Sequence, residues 1–443
     1  MISFNGLATG LDTSTLISKL VEAESAPIER LTAKQALIDA KSKKLTSLRT
    51  KLDDLRNAAL ALDTRKEALP VSLTSSNTSR VRGTVTGGVS PTRFDLEVVS
   101  LAKGARMYSN GVSSDSATGL FGTGQLDITT SAGTSTLAVE STDTLDSLRR
   151  KIDDLDLPVT TNILHDGSGF RLQIVGEGVG AANAVTVTET GTSLGFGANV
   201  VSTASDASFV LDGIPMTRGS NSVENAFPGV TLELLSASPT GEKTSVEVTH
   251  DPAALETAVR KVVDAYNAVN TFIQAESAWT GTAKGAESLS GDSTLRSVQS
   301  RLRSTLMAPI AGTTGAFTTL GRLGVALTRD GSLSLDATKL RSALATDPEA
   351  VAKVLGSEGT GAMALVAQQA DYFADGTDGV LSQRLTSMKN ERRGLDDRIE
   401  RMQTRLDKYE AQLTQQYAKL EQLVSSLQNQ GSQLTAAMSG LSS

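Results

Sequence analysis

The chain contains no cysteine in 443 residues, two histidines, one tryptophan, five tyrosines and ten phenylalanines. Without cysteine there is no disulfide, no thiolate nucleophile and no cysteine-bound metal. The histidines, His165 and His250, are too few and too far apart in sequence for a zinc site. Positive charge is in the minority, with 42 Lys and Arg against 49 Asp and Glu, a net charge of −7 and a pI near 5.2. Nucleic-acid phosphates demand a basic face, so no nucleic-acid partner is expected. No apolar run reaches the roughly 18 residues needed to span a membrane, and none is expected to. The opening Met1–Gly6 lacks the basic and apolar regions of a signal peptide, so any work outside the cell implies export without a cleaved signal.

What is present is unevenly distributed. Only two glycines precede residue 71, whereas 21 lie between residues 71 and 250. The first segment therefore reads as helix and the second as strands and turns. Leu31, Ile38, Leu45, Leu52 and Ala59 recur every seven residues, with Leu48, Leu55, Leu62 and Leu69 as matching d positions. Leu69-Pro70 closes this run, because proline pushes the preceding residue out of the helical region. Pro27 predicts a kink or a fresh helix start. The far end mirrors the pattern. Ile399, Leu406, Leu413, Leu420, Leu427, Leu434 and Leu441 stand seven apart, with Leu395, Met402, Tyr409, Gln416, Leu423, Gln430 and Ala437 at d. So sustained a 3.5-residue period predicts a coiled coil or helical bundle. Arg384–Glu421 carries both signs of charge, but Gln422–Ser443 carries none, as in a helix enclosed by other helices.

Between the ends, alternation predicts strands at Ser72–Thr86, Phe94–Val99, Gly124–Thr129, Thr134–Val139, Val159–Leu164, Phe170–Val175 and Ala184–Thr188. A short helix falls at Thr144–Ile152, and a third strand group at Ser208–Leu211, Ser222–Leu235 and Thr244–Thr249. Helices resume after Asp251-Pro252, a cap followed by proline at the first helical position. A hairpin turns at Asp330-Gly331 between Val325, Leu327 and Leu333, Leu335. Short helices near 336–345 and 347–355 precede a glycine-rich link at Gly356–Gly361. The expected fold is α+β and multidomain. N- and C-terminal helices form a coiled-coil or bundle, and β-rich domains are inserted between them. Expected divisions are an N-terminal helical segment (1–38), a helical domain with a hairpin (39–70 and 251–385), a β-rich domain (71–107 and 207–250), an outer β-rich insertion with one helix (108–206) and a C-terminal coiled-coil helix (386–443).

No constellation for chemistry stands out. His165-Asp166 and His250-Asp251 lack a nucleophile and sit beside turns. Gly176–Gly180 has the glycines of a phosphate loop but neither its lysine nor a strand–helix setting. Asp53-Asp54, Asp153-Asp154 and Asp396-Asp397 read as solvated faces. The residues predict no active site, no cofactor and no metal.

Gly6-Leu7-Ala8-Thr9-Gly10-Leu11-Asp12, then Leu16-Ile17, Leu20-Val21, Glu24 and Pro27–Leu31, resemble the N-terminus of the bacterial flagellar filament cap proteins, the hook-associated FliD family. Leu413–Glu421, continuing through Leu427 to Leu434, resembles its C-terminus, with Tyr417 where the family usually has Phe. Ala265-Tyr266-Asn267 and Leu320–Leu340 are similar to its inner C-terminal region, and Leu145–Ile152 to a motif of other hook-associated proteins. The resemblance implies a structural protein and no enzyme. It implies a homo-oligomeric, pentamer-like ring at the filament tip that retains exported flagellin and helps it fold and insert. Implied partners are the chain itself, flagellin and the filament tip, and a flagellar export chaperone with the export apparatus; surface or host glycans are a secondary one. The implied oligomer or filament interface comprises Leu7, Leu11, Leu16, Leu20, Leu31, Leu406, Leu413, Tyr417, Leu420, Leu423, Leu427 and Leu434. Two other classes stay open: another axial protein, such as a hook–filament junction or phage tail component, and an extracellular adhesin using 108–206. An enzyme is the third and least favoured reading.

Overall fold

The computed structural model describes residues 12–278 and 287–441, and the chain divides into two compact units. One joins residues 1–68 to 256–443, and the other comprises residues 69–255.

The first unit is helical. Helix α1 (Thr13–Leu60) starts at Asp12, whose carboxylate accepts the Thr15 N–H at 3.1 Å. The hydroxyl and N–H of Thr15, with help from Ser14, hold that carboxyl down at about 2. Ile38, Leu45, Leu48, Leu52, Leu55 and Ala59 are the buried apolar residues of α1, which is the heptad stripe. Of the two alternatives expected at Pro27, a fresh helix start does not occur, because α1 runs through it; the proline has no amide hydrogen to give, so one ladder bond is missing there. The helix also stops at Leu60 rather than Leu69. Thr64 donates its N–H and hydroxyl to Glu67 and opens a separate turn, α2 (Arg65–Ala68). Leu62 and Leu69 are buried all the same, outside α1.

Helices α4 (Pro252–Ser277), α5 (Ser293–Met307), α6 (Ala337–Thr346) and α7 (Pro348–Leu355) begin at the aspartates Asp251, Asp292, Asp336 and Asp347, each accepting backbone N–H groups. Unforeseen from sequence is α8 (Ala362–Ala374). It is buried through Met363, Val366, Phe373 and five alanines on nearly all sides, and it packs against α1, α5 and the long α9 (Val380–Leu441). The expected hairpin forms, numbered with the strands of the second unit as β16 (Val325–Leu327) and β17 (Leu333–Leu335). Tyr266 donates its hydroxyl to Gly331 O at 3.0 Å, and the Asn267 amide exchanges two hydrogen bonds with Leu333 at 2.9 and 2.7 Å. Gly331 has φ 82°, which the tight turn requires.

The second unit holds two apolar cores. In the first, a five-stranded sheet shares its core with a three-stranded one. The larger sheet is ordered β1 (Val71–Ser75), β15 (Thr244–His250), β3 (Thr92–Ser100), β11 (Ala207–Leu211), β12 (Ile214–Arg218). The smaller is β13 (Ser222–Phe227), β14 (Val230–Leu234), β2 (Val81–Val85). Ser72–Thr86 is therefore two strands in different sheets, broken where Asn77 caps the Ser79 N–H. Phe94, Leu96, Val98, Phe209, Leu232 and Val246 fill this core.

The second core lies within residues 105–202. A four-stranded sheet, β10 (Val200–Ser202), β4 (Arg106–Tyr108), β8 (Phe170–Gly176), β7 (Val159–His165), joins a three-stranded sheet, β6 (Gly133–Val139), β5 (Gly122–Thr130), β9 (Thr186–Thr192). Helix α3 (Leu145–Asp153) buries Leu145, Leu148 and Ile152 against them. A reciprocal capping box of Thr144 and Ser147 sets its start. The chain passes between the cores at one narrow neck, where Lys103 and Ser205 exchange backbone hydrogen bonds at 2.9 and 3.1 Å. Strands β4, β10 and β12 were not expected, being edge strands or three residues long. No helix among the described residues is long and apolar enough to cross a membrane.

Candidate functional site

Helices α1 and α9 form an antiparallel pair. Gln35 bonds Asp396 while Ser42 reaches Met388, so residue numbers rise along one helix as they fall along the other. The partners at this crossing are polar. Lys34 pairs with Glu391 at 2.9 Å, and Asp39 with Arg392 at 2.9 Å, while Arg392 also reaches Asp396 at 3.6 Å. By the heptad phase, Lys34 occupies a d position and Arg392 an a position. Charge at these positions opposes charge of the other sign, but all four side chains are largely in solvent, so the pairs favour one register while adding little to stability. Further along, Arg56 of α1 pairs with Asp371 of α8 at 2.8 Å, and Lys44 with Glu276 of α4 at 2.7 Å. Of these residues the sequence reading had touched only Asp396, as part of a solvated face. For Lys34 and Arg392 the signal was present as charges at positions where the heptad asks for leucine.

The expected interface residues divide by depth. Leu7 and Leu11 lie outside the described residues. Leu31, Leu406 and Tyr417 are half-buried, and Leu413 is buried. Leu16 and Leu20 on α1 are exposed. On α9, Leu420 is 45% exposed, Leu423 61%, Leu427 56% and Leu434 65%. The reason is geometric. Both helices rise by the same amount per residue, so Thr13 of α1 lies opposite about residue 418 of α9. Beyond that level the a/d stripe of α9 has no described part of α1 beneath it. The chain thus presents an apolar stripe of four leucines, flanked by Gln, Ser, Asn and Thr, that continues the buried seam.

The candidates for chemistry are absorbed by structure. His165 is exposed and lies against Phe170, the rings tilted by 59° with 4.6 Å between their centres. His250 ends β15, in register with Val71. Gly180, at φ 97°, leads only into a three-residue turn, Ala181–Asn183, so no helix stands behind the glycine loop. Asp53 pairs with Arg56, and Asp153 with Arg149. The Arg171 guanidinium, with Ser168 and two backbone N–H groups, holds the Asp166 carboxyl far below the usual carboxylate range. No group of three or more His, Asp or Glu able to hold a metal occurs among the described residues. A shallow depression of about 430 Å³ is lined by Tyr108, Leu164, Asp166, Arg171, Asn199, Val200 and Val201.

Comparison with known proteins accounts for both ends of the chain. The family model of the flagellar hook-associated protein 2 N-terminus matches residues 9–105, and that of its C-terminus matches residues 204–429. The chain is 26% identical over 462 residues to the B-type flagellar hook-associated protein 2 of Pseudomonas aeruginosa, covering 96% of this chain and 95% of that one. It is 25% identical over 467 residues to the flagellar hook-associated protein 2 of Escherichia coli K12, covering 98% and 97%. A crystal structure of the D1-D2-D3 domains of the flagellar cap protein FliD from Escherichia coli superposes with a TM-score of 0.62 at 23% identity, covering 78% of this chain and 99% of that one, and so shares its fold. The chain belongs to the flagellar hook-associated protein 2 family.

Proposed function

We propose that this chain is the filament cap of a bacterial flagellum: a structural protein that sits at the distal tip, retains exported flagellin and promotes its folding and insertion. The observation that carries the proposal is the match along nearly the whole chain to flagellar hook-associated protein 2, together with paired terminal helices whose apolar stripe outruns its own partner. A stripe of that kind calls for an occupant in the assembled state. In this reading several copies form a ring, the terminal helices seat it on the filament end, and the β-rich unit supplies the body of the cap. Binding energy and a shaped chamber do the work, without catalysis. The chain reaches its place through the flagellar export route, and an export chaperone covers the leucine stripe on the way. Any secondary contact with surface glycans falls to the depression lined by Tyr108, Asp166, Arg171 and Asn199.

The test is complementation. Cells lacking the gene should export flagellin into the medium and build no filaments, and the intact gene should restore motility. Labelled protein should then mark filament tips in electron micrographs. Label persisting at the base of every filament would overturn the tip assignment in favour of a junction protein.

A further inference from the structure

We infer that the glycine loop Gly176–Gly180 is a strap that locks the second β core to the first, so that residues 69–255 move as one body. The inference goes beyond capping and stands whether or not that reading holds. Two chain crossings join the cores, tied to each other by the pair of backbone hydrogen bonds between Lys103 and Ser205. A two-chain neck by itself is a hinge, and relative motion is the default for domains joined so sparingly. The loop adds a third contact beside that neck. It leaves β8 and returns to β9, both strands of the second core, yet in between it reaches the first. Gly180 donates its N–H to Lys103 O at 3.1 Å, and Ala181 donates its own to the Asp206 carboxylate at 2.6 Å. Asp206 stands immediately before β11, a strand of the first core.

Glycine is what lets the loop close on its neighbours. A Cβ on Gly180 would lie 2.8 Å from Gly219 Cα, in the link between β12 and β13 of the first core. Two backbones therefore touch across the joint, and any side chain there would hold them apart. Gly180 also sits at φ 97°, a conformation that other residues rarely adopt. The same closeness runs back along the loop. A Cβ on Gly104, in the neck, would lie 2.8 Å from Gly178 O, and one on Gly178 would lie 2.6 Å from Asn183 Nδ2. The run with the glycines of a phosphate loop thus admits a neighbouring backbone where a phosphate loop admits its ligand.

The full-length chain supplies the test, because it has no native cysteine. Spin labels at Thr188→Cys in β9 and Thr217→Cys in β12, both exposed, report the distance between the cores by pulsed electron paramagnetic resonance. Dilution with unlabelled protein removes distances between copies. The parent should give one narrow distance distribution. Gly180→Ala should broaden it at least about twofold, because the neck is then free to hinge. Asp206→Ala should broaden it as well, whereas Asp206→Asn keeps an accepting oxygen and should leave it narrow. Gly219→Ala is the control, since its Cβ would meet only Asp206 Oδ1, at an ordinary 3.8 Å, and the distribution should stay as in the parent. These positions lie outside both apolar cores, so every variant should keep the parent's circular dichroism. A broad distribution in the parent, a narrow one in Gly180→Ala or Asp206→Ala, or broadening in Asp206→Asn or Gly219→Ala would each overturn the inference. Should Gly180→Ala fail to fold, the two Asp206 variants decide alone.

Discussion

Leu52 and Leu423 are the same residue type on the same kind of heptad stripe, yet one is fully buried and the other is 61% exposed. Replacing them should have opposite signatures. Leu52→Ala should cost about 2–5 kcal/mol in urea unfolding of the helical unit, because it leaves a cavity among packed helices. The triple change Leu420→Asp, Leu423→Asp and Leu427→Asp should leave unfolding of the single copy within about 0.5 kcal/mol of the parent, because those side chains are already in water. The same triple mutant should nonetheless give non-motile cells with monomeric flagellin in the medium. Motile cells with filaments of normal length would remove these leucines from the seat.

At the same scale, Asp143 reports on acid sensitivity. Its burial favours the neutral form. Hydrogen bonds from the Glu140 N–H, Lys151 and Ser147 outweigh that burial, so its carboxyl titrates below the usual 3.8. A depressed carboxylate contributes stability that is whole above the unfolded value and is lost as pH falls through the folded one. Asp143→Asn should therefore lower the melting temperature at neutral pH, and the gap from the parent should narrow as the pH falls below 3.8. A gap of constant size across that range would show that the charge is not what matters at this position.

At the level of elements, α1 is two helices in one. From Ile38 to Ala59 it is buried among α8, α9 and their neighbours, whereas from Ser14 to Glu29 its residues are exposed or half-buried and include Pro27, which leaves one ladder bond unmade. Hydrogen exchange on the unassembled protein should show amides of residues 14–30 and 422–436 exchanging at least about a hundredfold faster than those of residues 45–59, since few buried contacts hold them. Equal protection would mean that the seam is stronger than its burial suggests. The clamp on the hairpin makes a companion case. Asn267 satisfies both backbone groups of Leu333, so Asn267→Leu should cost about 1–3 kcal/mol by stranding them.

These elements also mark how far sequence reasoning reaches. The heptads of α1 and α9, the apolar spacing of α3, the capped start of α4 and the Asp330-Gly331 hairpin were legible because each is a local rule: a period, a cap or a turn. Helix α8 was not, because a helix buried on most sides and built largely of alanine shows no amphipathic period. Strands β4, β10 and β12 escaped because segments of three to five residues hold too few side chains for alternation to register. The polar crossing of Lys34 with Glu391 and Asp39 with Arg392 escaped because its members are separated by more than 350 positions.

At the scale of the molecule, the β-rich unit closes on itself. Its first and last strands are hydrogen-bonded neighbours, Val71 opposite His250, so its two chain ends leave side by side. A fragment of residues 69–255 should therefore be soluble, give a β-rich circular dichroism spectrum and melt cooperatively; a disordered spectrum would refute its independence. The sequence by itself determined that long helices flank β-rich inserts, that no cysteine chemistry is possible and that the last turns of α9 carry leucine without charge. Periodicity and composition are written residue by residue, so they need no partner to be read. Only the tertiary structure decided where the α1–α9 seam ends, because that depends on the register of two helices nearly the whole chain apart. That register buries Leu413 and leaves Leu420 to Leu434 in solvent, although one unbroken heptad contains them all.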